Sequence, residues 1–207
     1  MPIAAALASL QANVQQCESL IANIHQQDSN GGFLLPEIDR KQVTVAAFLN
    51  FFIAWESFLE ECFANFLTGA QTIGGTQPTK YAAPINVGKA KAMLVGQNKY
   101  FDYGNLEAFR VVTRIYFDQG YPFEPHINAM SQDIADMRTI RNASAHITST
   151  TQNKLEVLAQ RLIGSAQPGI DVYSLVLAND PTQANGSTIF SSYRDRVLIA
   201  AQAIAQG

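Results

Sequence analysis

A long apolar segment, over about residues 41–68, limits the folds that this chain can adopt. Its large apolar side chains recur at intervals of three and four residues, which is the period of an α-helix. They are Phe48, Phe51, Phe52, Trp55, Phe58, Leu59, Cys62, Phe63 and Phe66. Because these positions cover more than one stripe, the helix is predicted to lie at the centre of a bundle or to pack against another subunit as well.

The same period predicts further helices along the chain, over about residues 3–27, 89–95, 105–117, 127–147, 152–162 and 187–205. Residues 149–152 have the form of a capping box, which places the end of the preceding helix very near His146. Residues 172–177 form the only plausible strand, and the strand–helix alternation of a parallel sheet is missing. The predicted class is therefore all-α, an antiparallel helical bundle with an elaborated middle segment and long loops at about 69–88 and 164–186.

Length and composition indicate one soluble domain over residues 1–207. A chain of 207 residues, 47% of them apolar and 15% charged, can bury a substantial core. Polar and acidic side chains interrupt the most apolar stretch, so no membrane-spanning helix is predicted. Cys17 and Cys62 lie in apolar helical patterns, which favours buried free thiols in a reducing cytoplasm over a disulfide.

Charge is unevenly distributed along the chain. The net charge of −3 argues against a protein that coats nucleic acid without specificity. Between residues 80 and 114, however, the basic side chains outnumber the acidic ones by six to two. The six are Lys80, Lys89, Lys91, Lys99, Arg110 and Arg114. This segment either lies beside an anionic ligand or forms a solvated surface that happens to be basic.

The polar chemistry of the chain converges in one hexapeptide, Arg141-Asn142-Ala143-Ser144-Ala145-His146. At about 100° per residue, Arg138, Asn142 and His146 form a row on the side of the helix opposite its apolar face. Arg141 lies about 140° round the helix from His146 by the same arithmetic. Arg141 is long enough to reach toward that row, or it serves a site shared with another chain.

The three polar side chains of the hexapeptide suit work on a phosphodiester. A guanidinium presents a fork of donors to phosphate oxygens, and an imidazole can serve as both acid and base near neutral pH. The carboxyl end of a helix is also a favourable place for a positively charged side chain. The alternative interpretation is a surface arginine beside a histidine that caps the helix.

Residues 137–146 resemble the signature of the HEPN superfamily, in which an Arg, often followed by Asn, precedes a His by four to six residues. Residues 55–60 resemble the aromatic and acidic stretch of an early HEPN helix. Residues 105–120 are similar to the segment ahead of the motif in HEPN domains of the RiboL-PSP type. The resemblance covers about residues 43–162, and the C-terminal helix at about 187–205 is expected to pack on this core. Within the resembling region, only the hexapeptide is specific to the family.

The resemblance implies an all-α domain that dimerises with its two motifs facing each other. Catalytic members are metal-independent endoribonucleases, often toxins or antiviral effectors, in which the RNA 2′-hydroxyl attacks the adjacent phosphate to leave a 2′,3′-cyclic phosphate. By position, His146 would be the acid–base residue, Arg141 the phosphate-binding residue and Asn142 a positioning residue. No metal or other cofactor is implied, and an antitoxin or another protein partner is expected.

Further residues are candidates for secondary roles. Glu56 would orient Arg141 or is a solvated glutamate, and Arg138 would add phosphate affinity or is a surface arginine. Weaker candidates for RNA contact are Lys99, Tyr100, Arg110 and Arg114. The alternative function is a non-catalytic HEPN module that binds RNA, a nucleotide or a protein. Two positions depart from the family: Ile147 replaces a common Gly, and Thr148 replaces the Tyr of toxins silenced by a nucleotidyltransferase.

Overall fold

The structure is a computed structural model, described for residues 2–96, 100–184 and 186–207. Over these residues the chain forms nine α-helices, one short 3₁₀ helix and no strand, which confirms the predicted all-α class. The α-helices are α1 (Pro2–Ile24), α2 (Glu37–Leu67), α3 (Val87–Val95), α4 (Leu106–Tyr116), α5 (Glu124–Ala129), α6 (Ser131–Ala145), α7 (Ser149–Ile163), α8 (Val172–Leu177) and α9 (Ile189–Gln206). The 3₁₀ helix, Asp118–Gly120, lies between α4 and α5.

Two sequence predictions of local structure are wrong. The strand predicted over residues 172–177 is helix α8, which begins because the Asp171 carboxylate accepts a hydrogen bond from Ser174 N at 2.7 Å and so caps it. The single helix predicted over residues 127–147 is two helices, α5 and α6. Helix α5 begins earlier than predicted because a proline in its first turn is compatible with a helix start.

The chain packs as two compact units, and the longest helices contribute residues to both. Unit 1 comprises Met1–Gln11, Ala54–Ala135 and Arg196–Gly207. Unit 2 comprises Ala12–Ile53 and Asp136–Asp195, and it contains the whole hexapeptide.

The core of unit 1 is an aromatic cluster around Phe63 of helix α2. The ring centroid of Phe63 lies 5.2 Å from that of Phe117, 6.2 Å from that of Phe123 and 6.4 Å from that of Phe109. All four rings are fully buried. Aromatic pairs at such distances add to the free energy that burial of the rings already supplies. This cluster therefore holds α2 to α4 and to the segment that follows α4.

A buried carboxylate joins α4 to α5 in the same unit. Glu124 accepts hydrogen bonds from Arg114 Nε at 2.6 Å and from Arg110 Nη2 at 3.2 Å, and Asn128 Nδ2 lies 3.4 Å away. The hydrogen bond from Arg114, with those from Arg110 and Asn128, holds the pKa of the Glu124 carboxyl below its usual value. Gly120 lies against it, and a Cβ there would come within 2.8 Å of Glu124 Oε2. The two arginines thus have structural partners.

We expect Glu124→Gln to lower the free energy of unfolding by about 1–3 kcal/mol at pH 7, because two guanidinium groups lose a buried charged partner. A carboxyl whose pKa is lower in the folded state stabilises above its unfolded pKa of about 4.3. The difference between wild type and variant should therefore shrink as the pH falls below that value. Urea unfolding across pH 3–7 measures it. Glu107→Gln is the control, since Glu107 is an exposed partner of Arg110; an equal loss in both variants would contradict the account.

Both cysteines are buried free thiols, as predicted. Burial raises the pKa of the Cys17 thiol and that of the Cys62 thiol. A raised pKa disfavours the thiolate, which is the nucleophilic form. The two cysteines are therefore packing residues.

Helix α2, predicted not to span a membrane, is long and apolar enough to do so by length and composition alone. Half of its most apolar stretch is buried inside the protein, as in the core helix of a soluble protein. Within the described ranges it is the one helix with these properties, which is weak evidence for a membrane span.

Candidate active site at the end of helix α6

The hexapeptide occupies the end of helix α6. The last helical hydrogen bond joins His146 N to Asn142 O at 3.0 Å. The next helix is capped by Thr148, whose hydroxyl accepts from Thr151 N at 3.2 Å while the Thr151 hydroxyl accepts from Thr148 N at 2.9 Å. The capping box predicted at residues 149–152 is therefore displaced by one residue, because Thr148 has the extended backbone that a cap requires. His146 lies in the short turn between α6 and α7.

Arg141 is held in place by two neighbours within unit 2. Its Nη1 donates a hydrogen bond to Asn142 Oδ1 at 3.1 Å. Its guanidinium carbon lies 5.7 Å from the centroid of the Phe52 ring, within the range of a cation–π interaction. Both Arg141 and Asn142 are half-buried. The amide of Asn142 thus contacts the arginine of the motif and limits the orientations of its guanidinium.

His146 is exposed, and its backbone is anchored. Its carbonyl oxygen accepts a hydrogen bond from the Thr151 hydroxyl. In the part of the chain that the structure describes, no hydrogen bond or ion pair engages its ring. A fixed backbone with an open imidazole leaves the ring available to a ligand.

The apolar face of α6 matches the sequence prediction up to the end of the helix. Met137 and Ile140 are fully buried, and the Ser144 hydroxyl donates to Ile140 O at 2.8 Å. Ile147, which the helical period places on the same face, is instead 89% exposed. The reason is that helical geometry stops at Ala145, so the periodicity no longer fixes the direction of later side chains.

A buried carboxylate that the sequence prediction missed anchors α6 in unit 2. Asp136 is buried, and it accepts hydrogen bonds from Tyr193 OH at 3.1 Å and from Arg161 Nη2. It precedes the buried Ile140 by four residues, so it lies on the core face of the helix. The sequence contains a sign of this role, because an acidic side chain at a core-facing position of a helix needs hydrogen-bonding partners. Asp136 fixes the helix about one turn before Arg141.

The secondary candidates differ in location and in exposure. Glu56, predicted to orient Arg141, accepts a hydrogen bond from Gly104 N at 3.2 Å in unit 1. Arg138 is half-buried, on α6. Tyr100 is 74% exposed, whereas the ring of its neighbour Tyr103 is buried. Lys99 lies outside the described residues.

Much of the basic segment is engaged by acidic side chains. Arg110 and Arg114 bind Glu124, and Lys91 lies 3.0 Å from Glu60 and also contacts Glu61. These ion pairs offset the positive charge that the sequence alone places in this stretch. They favour the interpretation of the segment as structural and solvated.

The end of α6 thus offers an exposed imidazole and a pre-oriented guanidinium on neighbouring turns. The imidazole is an acid–base group and the guanidinium is an anion-binding group, and enzymes that catalyse phosphoryl transfer use both kinds of group. Among the described side chains, no three or more of His, Cys, Asp and Glu are grouped so as to hold a metal ion.

No family model, no curated protein and no solved structure matches this chain. The function of the chain is therefore inferred from residues 141–146 and from the side chains that surround them.

Proposed function

We propose that this protein is a metal-independent endoribonuclease of the HEPN type, a toxin or antiviral effector that acts in the cytoplasm. The observation that carries the proposal is the pairing of an exposed His146 imidazole with an Arg141 guanidinium that Asn142 and Phe52 hold. A surface arginine with a capping histidine would not need its guanidinium oriented in this way. The substrate is RNA, because the mechanism uses a 2′-hydroxyl group.

The reaction is a transesterification in which the protein supplies proton transfer and charge stabilisation. A neutral His146 imidazole accepts the proton of the 2′-hydroxyl as its oxygen attacks the phosphorus. The bond from phosphorus to the 5′ oxygen breaks, and that oxygen leaves with a proton from a protonated imidazole. Arg141 donates hydrogen bonds to the non-bridging phosphate oxygens, whose charge grows in the transition state. The products carry a 2′,3′-cyclic phosphate and a 5′-hydroxyl.

The acid and the base of this reaction come from two copies of the chain in our proposal. His146 lies past the last residue of α6, so helix geometry does not turn its side chain toward Arg141 of the same copy. A second copy facing the first supplies His146 of the partner subunit as the proton donor. Exposed Tyr100 and half-buried Arg138 are secondary candidates for contact with the RNA.

Mixing two inactive variants tests the composite site. We expect Arg141→Ala and His146→Ala to be inactive alone and to regain part of the wild-type cleavage when mixed under conditions of subunit exchange. Each mixed dimer then holds an intact arginine from one copy and an intact histidine from the other. Phosphate binding and proton acceptance are restored, and recovery stays partial because the second imidazole, the proton donor, is missing. Absence of recovery, with sedimentation showing mixed dimers, would contradict the composite site.

The activity itself is tested by incubating purified protein with end-labelled RNA in excess EDTA. We expect cleavage that Arg141→Lys lowers by about 10–10³-fold, because an ammonium keeps the charge but loses the two-pronged donor geometry. Lys154→Ala, a change on α7 outside the motif, is the control and should retain activity. If RNA instead binds in an Arg141-dependent manner and no product ever forms, the chain is a non-catalytic binding module.

A further inference from the structure

Unit 2 contains a cavity of about 460 Å³ beside the motif. Its walls are largely aliphatic, with contributions from α2, α6, α7 and the turn that follows α6. They include Ile38, Val45, Ala143, Ile147 and Leu155. Pockets of this volume with apolar walls and a few polar groups are typical of small-molecule sites.

The cavity and the candidate active site share one segment of chain. Ala143, Ser144 and Ile147 line the cavity, and in sequence they are interspersed with Asn142 and His146. A group inside the cavity therefore lies beside the same helix end that presents the imidazole. Part of a substrate held at the motif would extend naturally into this space.

The charges at the cavity exclude an anionic occupant. Among the described residues that line the cavity, Lys41 is the one with a basic side chain, and its Nζ lies 2.9 Å from Glu37 Oε1 and 3.1 Å from Asp171 Oδ2. These two carboxylates more than balance the ammonium, so a phosphate or a fatty-acid carboxylate would meet no net positive charge there. The occupant is expected to be neutral or a hydrogen-bond donor.

The polar groups in the lining suit the edge of a heteroaromatic ring. The Ser144 hydroxyl donates to Ile140 O, which leaves its oxygen as an acceptor, and Gln42 presents an exposed amide. The Asp171 carboxylate, which also receives the Ser174 N–H, has further acceptor capacity. Aliphatic walls can pack against the two faces of such a ring while these groups meet its edge.

We propose that this cavity binds a nucleobase of the RNA strand, that of a nucleotide next to the phosphate held at Arg141 and His146. The proposal rests on the proposed function and deepens it, because it makes base identity at one position a determinant of where the strand is cut. The phosphate stays outside, at the guanidinium, and the uncharged base enters the apolar space.

Binding of nucleosides tests this site without any need for catalysis. The probes are adenosine, guanosine, cytidine and uridine, with ribose as the probe that lacks a base. By titration calorimetry and NMR we expect at least one nucleoside to bind wild type and Lys154→Ala alike, and ribose to bind neither. Val45→Phe, which fills the cavity, should weaken binding at least tenfold. Val157→Phe adds the same ring at an exposed position of α7 outside the lining and should change nothing.

A second variant guards against misfolding of Val45→Phe. Ile147→Ala removes an exposed wall of the cavity and should weaken nucleoside binding severalfold while the circular dichroism spectrum stays unchanged. Equal binding of ribose, or nucleoside binding that neither variant weakens, would overturn the inference. If RNA is cut but both cavity variants cleave with the same base preference as wild type, the nucleobase site is refuted and the ribonuclease activity is not. If nucleosides bind but RNA is never cut, the ribonuclease activity is refuted and the nucleoside site in the cavity is not.

Discussion

Replacing His146 by alanine is expected to lower the rate of RNA cleavage by about 10²–10⁴-fold, the range that a positioned acid–base group contributes. The variant loses the proton acceptor for the 2′-hydroxyl and, in a dimer, the donor for the leaving oxygen as well. His146 is exposed, so its removal should change the free energy of unfolding by no more than about 0.5 kcal/mol. Single-turnover cleavage of end-labelled RNA measures the rate, and urea unfolding measures the stability.

His126→Ala is the matched control for this prediction. His126 lies on helix α5 in unit 1 and is half-buried, and burial lowers the pKa of its imidazole. It has no place in the proposed chemistry, so its variant should cleave RNA like wild type once stability is matched. Equal losses in His126→Ala and His146→Ala would mean that the assay reports general damage and not proton transfer.

Replacing Phe63 by alanine is expected to lower the free energy of unfolding by about 3–5 kcal/mol, the largest stability effect that we predict. The ring is fully buried and contacts Phe109, Phe117 and Phe123. Its loss removes buried apolar area and leaves a cavity that the surrounding rings fill only in part. Many domains have a total stability of about 5–15 kcal/mol, so this single change should markedly lower the melting temperature. Thermal and urea unfolding monitored by circular dichroism measure the effect.

Two companion variants calibrate the Phe63 result. Phe63→Leu keeps most of the buried volume, so its loss should be well below that of the alanine variant. Ile115→Ala removes an apolar side chain that is 56% exposed on α4 and should cost far less than Phe63→Ala. Similar values for Phe63→Ala and Ile115→Ala would show that the aromatic cluster is not the core of unit 1.

Most of the helical framework could be predicted from the sequence, because amphipathic periodicity and turn residues mark helices directly. The aromatic segment became helix α2, and the helix predicted over about residues 105–117 is α4, which Asn105 caps. Helix α8 was missed because its β-branched and aromatic composition favours a strand, while a single capping carboxylate at Asp171 favours the helix. For a segment of only six residues, local composition does not reveal whether the capping hydrogen bond or the strand propensity determines the structure.

The candidate site was less predictable than the helix that carries it. The sequence places Arg141, Asn142 and His146 near a helix end, and the structure puts them there. The sequence does not show that the Asn142 side chain accepts a hydrogen bond from Arg141, because that depends on side-chain conformations. The cavity is formed by segments distant in sequence, such as Val45 and Leu155, and no local pattern brings those together. For the same reason the partners of Asp136 appear only in the folded chain.

The proposed reaction is metal-independent attack by a 2′-hydroxyl group at the Arg141 and His146 site. The most direct measurement uses one end-labelled RNA and the same strand with a single 2′-deoxyribose at the mapped cleavage position, both incubated with wild-type protein in EDTA. We expect the RNA to be cut to a 2′,3′-cyclic phosphate end and the deoxy-substituted strand to stay uncut there. Cleavage of both strands at that position, or no cleavage of either, would contradict it.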